Sequence, residues 1–123
     1  MTGRLEINLP YPPSNNRYWR RVGGRTLLSR EARHYRAAVA VAVKQANSCT
    51  FGDSRISVSI TSHAPDRRRR DLDNLPKGIL DAMQKCGVYH DDSQVDRLQV
   101  VRGDVRRGDA SVDVVICEVM STR

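Results

Sequence analysis

The sequence predicts an α+β domain, one mixed β-sheet with two α-helices packed on it. Three observations carry that expectation. Apolar residues alternate with polar ones over residues 5–9 and 56–61, the period of strands buried on one face. Apolar residues recur at helical spacing over 32–46 and 75–83, and strand-like apolar runs occupy 95–101 and 112–119. The resulting order is strand, hairpin, helix, strand, helix, strand, strand. No repeat, linker or low-complexity tract interrupts it, so the 123 residues read as a single domain.

In the first strand Leu5, Ile7 and Leu9 alternate with Glu6 and Asn8. Pro12 and Pro13 end it, because proline has no N–H to donate to a ladder. Ser14-Asn15-Asn16 reads as loop. The run Arg17-Tyr18-Trp19-Arg20-Arg21 interleaves cations with aromatics. It suits either phosphate contact with base stacking or a loop whose aromatics cover the core edge. Gly23-Gly24 marks a hairpin turn. Ser29 is placed to cap the first helix, with Glu31 in its first turn. Ala32, Tyr35, Val39, Ala42, Val43 and Ala46 form its apolar stripe. Arg30, Arg33, Arg36 and Lys44 are left on a solvated face, and Asn47-Ser48 stops the helix. In the next strand Ile56, Val58 and Ile60 alternate with Ser57, Ser59 and Thr61. A second helix follows, capped by Asp73 or Leu72, with Pro76 in its first turn and Gly87 at its end. It buries Leu75, Ile79, Leu80 and Met83. The last two strands carry adjacent as well as alternating apolar residues, as expected where both faces are at least partly covered.

A formal net charge of +7 favours a polyanionic partner. Cys49, Cys86 and Cys117 are odd in number and share no close spacing. They fit small core residues in a reducing compartment and argue against a disulfide framework or zinc site. No apolar run reaches membrane-spanning length and the N-terminus has no signal-peptide core, so a cytoplasmic protein with no membrane partner is expected.

The chemistry concentrates at Asp66-Arg67-Arg68-Arg69-Arg70-Asp71-Leu72-Asp73-Asn74-Leu75-Pro76-Lys77. Four adjacent arginines repel one another, a poor choice for folding alone. The arrangement makes sense if the cations hold a nucleic-acid backbone while Asp71 and Asp73 hold a divalent metal against a phosphate. Hard carboxylate oxygens select Mg²⁺ or Mn²⁺ over zinc. In an extended segment the two carboxylates would project to one side. If Asp73 caps the helix, the exposed N–H groups of that terminus also suit a phosphate oxygen. Lys77, one turn on, can reach the same phosphate. Two carboxylates leave coordination incomplete, and Asp91 or Asp92 is the obvious third donor. A helix of about twelve residues carries the chain roughly 18 Å away. The residues from Gly87 to Asp92 can return about 20 Å if the chain doubles straight back; otherwise the carboxylate would serve a partner subunit. His34, His63 and His90 are the remaining titratable candidates, and lone histidines are usually structural or solvent-facing.

The run from Asp66 to Leu75, then Lys77, then Asp91-Asp92-Ser93-Gln94-Val95, closely resembles the RusA family of Holliday-junction resolvases. Pro12-Pro13-Ser14-Asn15-Asn16-Arg17-Tyr18 resembles the same family's early loop. The resemblance implies an endonuclease of bacterial or prophage origin, working as a homodimer with Mg²⁺ or Mn²⁺. It implies paired symmetric nicks across four-way junction DNA, with a dinucleotide preference at the cut. The family's essential carboxylates fall on Asp71, Asp73 and Asp92, and its essential lysine on Lys77. Pro76 is not part of that pattern and bears on how Lys77 is aimed. Symmetry argues independently for the dimer, since two cuts in opposed strands are met by two identical sites about one two-fold axis.

The expectation is a metal-dependent Holliday-junction endonuclease. Asp71, Asp73 and Asp92 bind metal, and Lys77 stabilises the phosphate or leaving oxygen. Arg67, Arg68, Arg69 and Arg70 hold DNA, with Arg17, Tyr18, Trp19 and Arg20 as a secondary contact. The rivals are a non-catalytic DNA- or RNA-binding module with structural acids, and a nuclease for simpler branched DNA.

Overall fold

The computed structural model describes residues 3–46 and 50–120. Strand β1 (Arg4–Pro10) leads to a single-turn helix α1 (Asn15–Tyr18), then to a hairpin of β2 (Trp19–Val22) and β3 (Arg25–Leu28). Helix α2 (Arg30–Gln45), strand β4 (Ile56–His63), helix α3 (Pro76–Lys85), and strands β5 (Val95–Arg102) and β6 (Ser111–Glu118) follow. The main sheet has the order β1-β6-β4-β5, and β2-β3 forms a separate two-stranded sheet. The α+β class with a mixed sheet and two packed helices is as the sequence predicts; the short helix α1 replaces an expected loop.

One face of the sheet is the core. Leu5, Ile7 and Leu9 of β1, Ile56, Val58 and Ile60 of β4, and Val112, Val114 and Ile116 of β6 are all buried there. Ala32, Tyr35 and Val39 of α2, and Ile79, Ala82 and Met83 of α3, pack onto that face. The strict alternation in β1 and β4 is therefore real, and so is the α2 stripe, except that Ala46 is exposed. Ser29 caps α2 by accepting from the Ala32 N–H at 3.0 Å. The expected stop at Asn47-Ser48, and Cys49, lie outside the described residues. Cys86 and Cys117 are free and half-buried.

Two expectations change. Strand β5 is the sheet edge and is largely exposed, with Leu98 44% and Val101 40% accessible, so its adjacent apolar residues do not signal two covered faces. The start of the second helix also moves. Leu72–Asn74 form a 3-10 turn, and α3 begins at Pro76 with Leu75 at its N-cap and no side-chain cap. Neither Asp73 nor Leu72 caps α3. A proline ring clashes with the carbonyl four residues back, so an α-helix cannot run from Leu72 through Pro76. The chain closes i→i+3 bonds there instead, from Asn74 N to Asp71 O and from Leu75 N to Leu72 O. The other end is as predicted. Gly87 takes φ +88°, its N–H reaches Gln84 O, and Val88 N reaches Met83 O, a Schellman closure.

Topology fixes where the site lies. β4 and β5 are parallel, while β6 is antiparallel to both β4 and β1. β1, β4 and β5 thus run the same way and deliver their C-terminal ends to one end of the sheet. Residues 11–14, 64–71 and 103–105 all emerge there.

Candidate active site

Two open clefts at that end share Tyr11, Arg69, Arg70, Asp71 and Leu75 as lining. One, of about 470 Å³, is completed by Pro12, Pro13, Ser14 and Asn74, which brings the early loop against the central stretch. The other, of about 330 Å³, takes in Asp66, Arg67 and Arg68 with Arg102, Gly103 and Val105 from the end of β5.

The four arginines are not equivalent. Asp66 accepts from the Arg68 backbone N–H at 2.9 Å and pairs with Arg70 at 2.8 Å and Arg68 at 3.4 Å. Arg70 also donates to the carbonyls of Asp66 and Arg68, and Arg102 donates to the Arg70 carbonyl. These bonds, led by Arg70, hold the Asp66 carboxyl below the usual aspartate range. Arg70 thereby serves the loop's own shape. The Arg67 and Arg69 side chains are exposed with no hydrogen-bond or ion-pair partner among the described residues.

Asp71 and Asp73 are also exposed, and neither carboxylate has a partner among the described residues despite four neighbouring cations. Asp71 is extended (φ −86°, ψ 132°) while Asp73 lies inside the 3-10 turn. The same-side argument for an extended pair therefore fails, and the pair sits one turn before the α3 terminus instead of capping it.

From Gly87 the chain does double back along α3. Val88 and Tyr89 are buried, and the Tyr89 hydroxyl donates to the Leu80 carbonyl at 2.6 Å while lying 3.0 Å from Asp92 Oδ1. Partial desolvation holds the Asp92 carboxyl above the ordinary aspartate range; the Tyr89 bond opposes this, Asp81 and Asp91 add to it, and Lys77 again opposes it. Asp92 thus lies within the field of Lys77. Asp91 is otherwise engaged. Its side chain accepts from Ser93 N, and Gln94 accepts from Asp91 N, a capping box over Asp92–Gln94. Of the adjacent acids, Asp91 is taken up by the capping box and Asp92 by the Tyr89 hydroxyl, and Asp92 does not line either cleft.

The donor chemistry of Asp71, Asp73 and Asp92 suits a hard divalent cation. Their convergence is incomplete: among the described residues no three His, Cys, Asp or Glu side chains form a group able to hold a metal ion.

The Arg17–Arg20 region divides. Arg17 and Arg20 are exposed. Tyr18 is fully buried, its hydroxyl donating to Asp81, so the expectation that it touches DNA is corrected. Its ring is close enough to Gly78 that a Cβ there would come within 2.9 Å, which is why α3 carries glycine at that point. Trp19 is half-buried, with its ring centroid 5.0 Å from that of Tyr18 and the Lys77 ammonium 5.7 Å from its ring. A ring so engaged covers the core edge and seats Lys77. It is not an open stacking platform, so Trp19 as a DNA contact is likewise revised.

Sequence reasoning missed Asp81 and Arg36. Arg36, expected on a solvated face, holds Asp81 through bonds of 2.8 and 3.0 Å, and with Tyr18 this ties α1, α2 and α3 together beneath Lys77. The available signal was that Asp81 is the one acid in α3, flanked by buried Ile79, Ala82 and Met83. His63 is structural. It is 7% accessible and sits between Asp113 and the Asp104 carbonyl, each at 2.9 Å. His34 and His90 are exposed, and His90 lies 2.6 Å from Asp53.

Comparison with known proteins agrees with the geometry. Residues 10–117 match the family model for endodeoxyribonuclease RusA. The crossover junction endodeoxyribonuclease RusA of Escherichia coli strain K12 is 47% identical over 102 residues, covering 83% of this chain and 85% of the relative. The namesake from Enterobacteria phage HK97 is 43% identical over 95 residues, covering 77% and 79%, and that of Enterobacteria phage 82 is 46% identical over 102 residues, covering 83% and 85%. The family match spans most of the chain, including the motif and the cleft residues, and this chain belongs to the RusA endodeoxyribonuclease family.

Proposed function

We propose that this chain is a divalent-metal-dependent endodeoxyribonuclease that resolves four-way DNA junctions by paired symmetric nicks, acting as a homodimer. The observation that carries the reading is the placement of unpaired Asp71 in clefts lined by the arginine run, with Asp73 two residues on in the same exposed turn. Relatives named as crossover-junction nucleases support it. Asp71, Asp73 and Asp92 would hold Mg²⁺, or Mn²⁺ in its place, which when bound polarises a phosphoryl oxygen and activates water. Arg67 and Arg69, with Arg17 and Arg20 further out, grip the backbone, and Lys77 offsets charge developing on the phosphate. Relatives from bacteria and phages, with no described helix long and apolar enough to span a membrane, fit a cytoplasmic, bacterial or prophage-encoded enzyme.

Pairing within the loop ranks the arginines. Arg67→Ala and Arg69→Ala each lower the salt dependence of junction binding by about 0.9 log–log unit per phosphate left unneutralised. Arg70→Ala acts instead on loop order and thermal stability. Equal slopes for all four single variants would contradict that ranking.

The incomplete convergence of Asp71, Asp73 and Asp92 favours a second form of the same reading, in which one copy's Asp92 completes its partner's site. Mixed dimers of Asp71→Asn and Asp92→Asn subunits decide it. A shared site leaves one complete centre per mixed dimer and restores nicking in one strand. A site confined to one chain leaves both centres damaged and restores nothing.

A further inference from the structure

Arg20 aside, the β2-β3 ribbon beyond its root has no role in what is so far described. Trp19 and Leu28, a cross-strand pair, pack against the core, and the Ser29 N–H reaches the Tyr18 carbonyl at 3.0 Å. Beyond that root every residue from Arg20 to Leu27 is exposed, across a Gly23-Gly24 turn whose φ values of 57° and 77° suit a tight two-residue hairpin. Among the described residues the side chains of Arg20, Arg21 and Arg25 have no hydrogen-bond or ion-pair partner. The register sorts them. Arg20 pairs with Leu27 and Val22 with Arg25 on one face, while Arg21 pairs with Thr26 on the opposite face. The ribbon thus carries Arg20 and Arg25 on one face, beside two exposed aliphatics, Val22 at 48% and Leu27 at 42%, and Arg21 on the other.

We propose that this ribbon is a wedge inserted between two duplex arms of branched DNA. A projection that lies on one polyanionic surface needs cations on one face; two faces of cations fit a cleft whose two walls are both phosphate backbone. Val22 and Leu27 meet bases or sugars laid open at the branch. The root places the wedge correctly, because Trp19 at its base seats Lys77. DNA straddling the ribbon would thus lie beside Lys77, six residues on from Asp71. The proposal rests on the reading that the substrate is a junction, and it adds the element that recognises the branch.

Binding measured in EDTA, with no cleavage, tests it separately from that reading. The probes are a synthetic four-way junction and a linear duplex of matching arm sequence. The Arg21→Ala/Arg25→Ala variant lowers the junction salt slope by about 0.9 for each phosphate left unneutralised, and narrows the preference for junction over duplex. The Arg21→Lys/Arg25→Lys variant keeps most of the slope, and Val22→Ser/Leu27→Ser narrows the preference with little change in slope. An unchanged slope and preference in the alanine variant overturns the wedge. A Val22→Ser/Leu27→Ser protein that changes from dimer to monomer by light scattering overturns it too, assigning the ribbon to a second copy of the chain. Failure of the parent to cut junctions, with these binding differences intact, would count against the nuclease reading alone.

Discussion

Asp71→Asn abolishes junction cleavage and leaves junction binding intact or tighter. The substitution keeps size and shape, and the Asp71 carboxylate makes no hydrogen bond or ion pair among the described residues that its loss would break. The fold is therefore unaffected, and thermal melting checks that directly. The effect falls on charge. A carboxylate that helps hold a divalent cation contributes several kcal/mol of transition-state stabilisation, so the loss is about a thousandfold or more in rate. Without metal the same carboxylate repels the DNA backbone, so neutralising it strengthens binding. A structural Asp71 predicts the opposite pair of outcomes, retained cleavage and a shifted melting temperature. Single-turnover cleavage and gel-shift binding of the same variant separate the two.

Lys77→Ala is expected to cost on the order of 2.7–4 kcal/mol in the cleavage step, roughly a hundredfold or more, with binding of intact junction little changed. The competing role is visible in the fold. The Lys77 ammonium lies 5.7 Å from the Trp19 ring centre, an exposed cation–π contact worth about 0.5–1 kcal/mol. Removing a lysine that does only this slows cleavage by a few fold at most. Lys77→Arg refines the test, because guanidinium retains charge but not the compact geometry, and a partial loss is expected. Single-turnover measurement at saturating enzyme removes binding from the comparison. Cleavage by Lys77→Ala within a few fold of the parent would assign Lys77 to the surface of Trp19 and withdraw its catalytic role.

What the sequence made legible follows from how local the cause is. Leu5, Ile7 and Leu9, like Ile56, Val58 and Ile60, announce their strands because one face must be buried and the other wet. Ser29 and Gly87 mark helix ends because each satisfies backbone groups within a turn of itself. The Asp66–Lys77 stretch stands out as the candidate site because its charges are adjacent in the chain. Non-local facts were hidden. The exposure of Leu98 depends on β5 being the edge, which only the strand order decides. Tyr18 reads like a surface aromatic among arginines until Asp81, 63 residues away, takes its hydroxyl. Pro76 was a local signal read too leniently: its ring excludes a helix running from Leu72, and Leu72–Asn74 instead form a 3-10 turn ahead of α3. That the capping box takes up Asp91 and leaves Asp92 to Tyr89 could not be read from two adjacent acids.

The most direct measurement is the product map of a synthetic four-way junction, each strand labelled in turn, incubated with the protein and Mg²⁺ or with EDTA. Nicks are expected only with the metal, at symmetry-related positions in two opposed strands, yielding ligatable linear duplexes. Uncut junction with every divalent ion tried, in a protein that still binds it, would rule out the nuclease and leave a junction-binding module in its place.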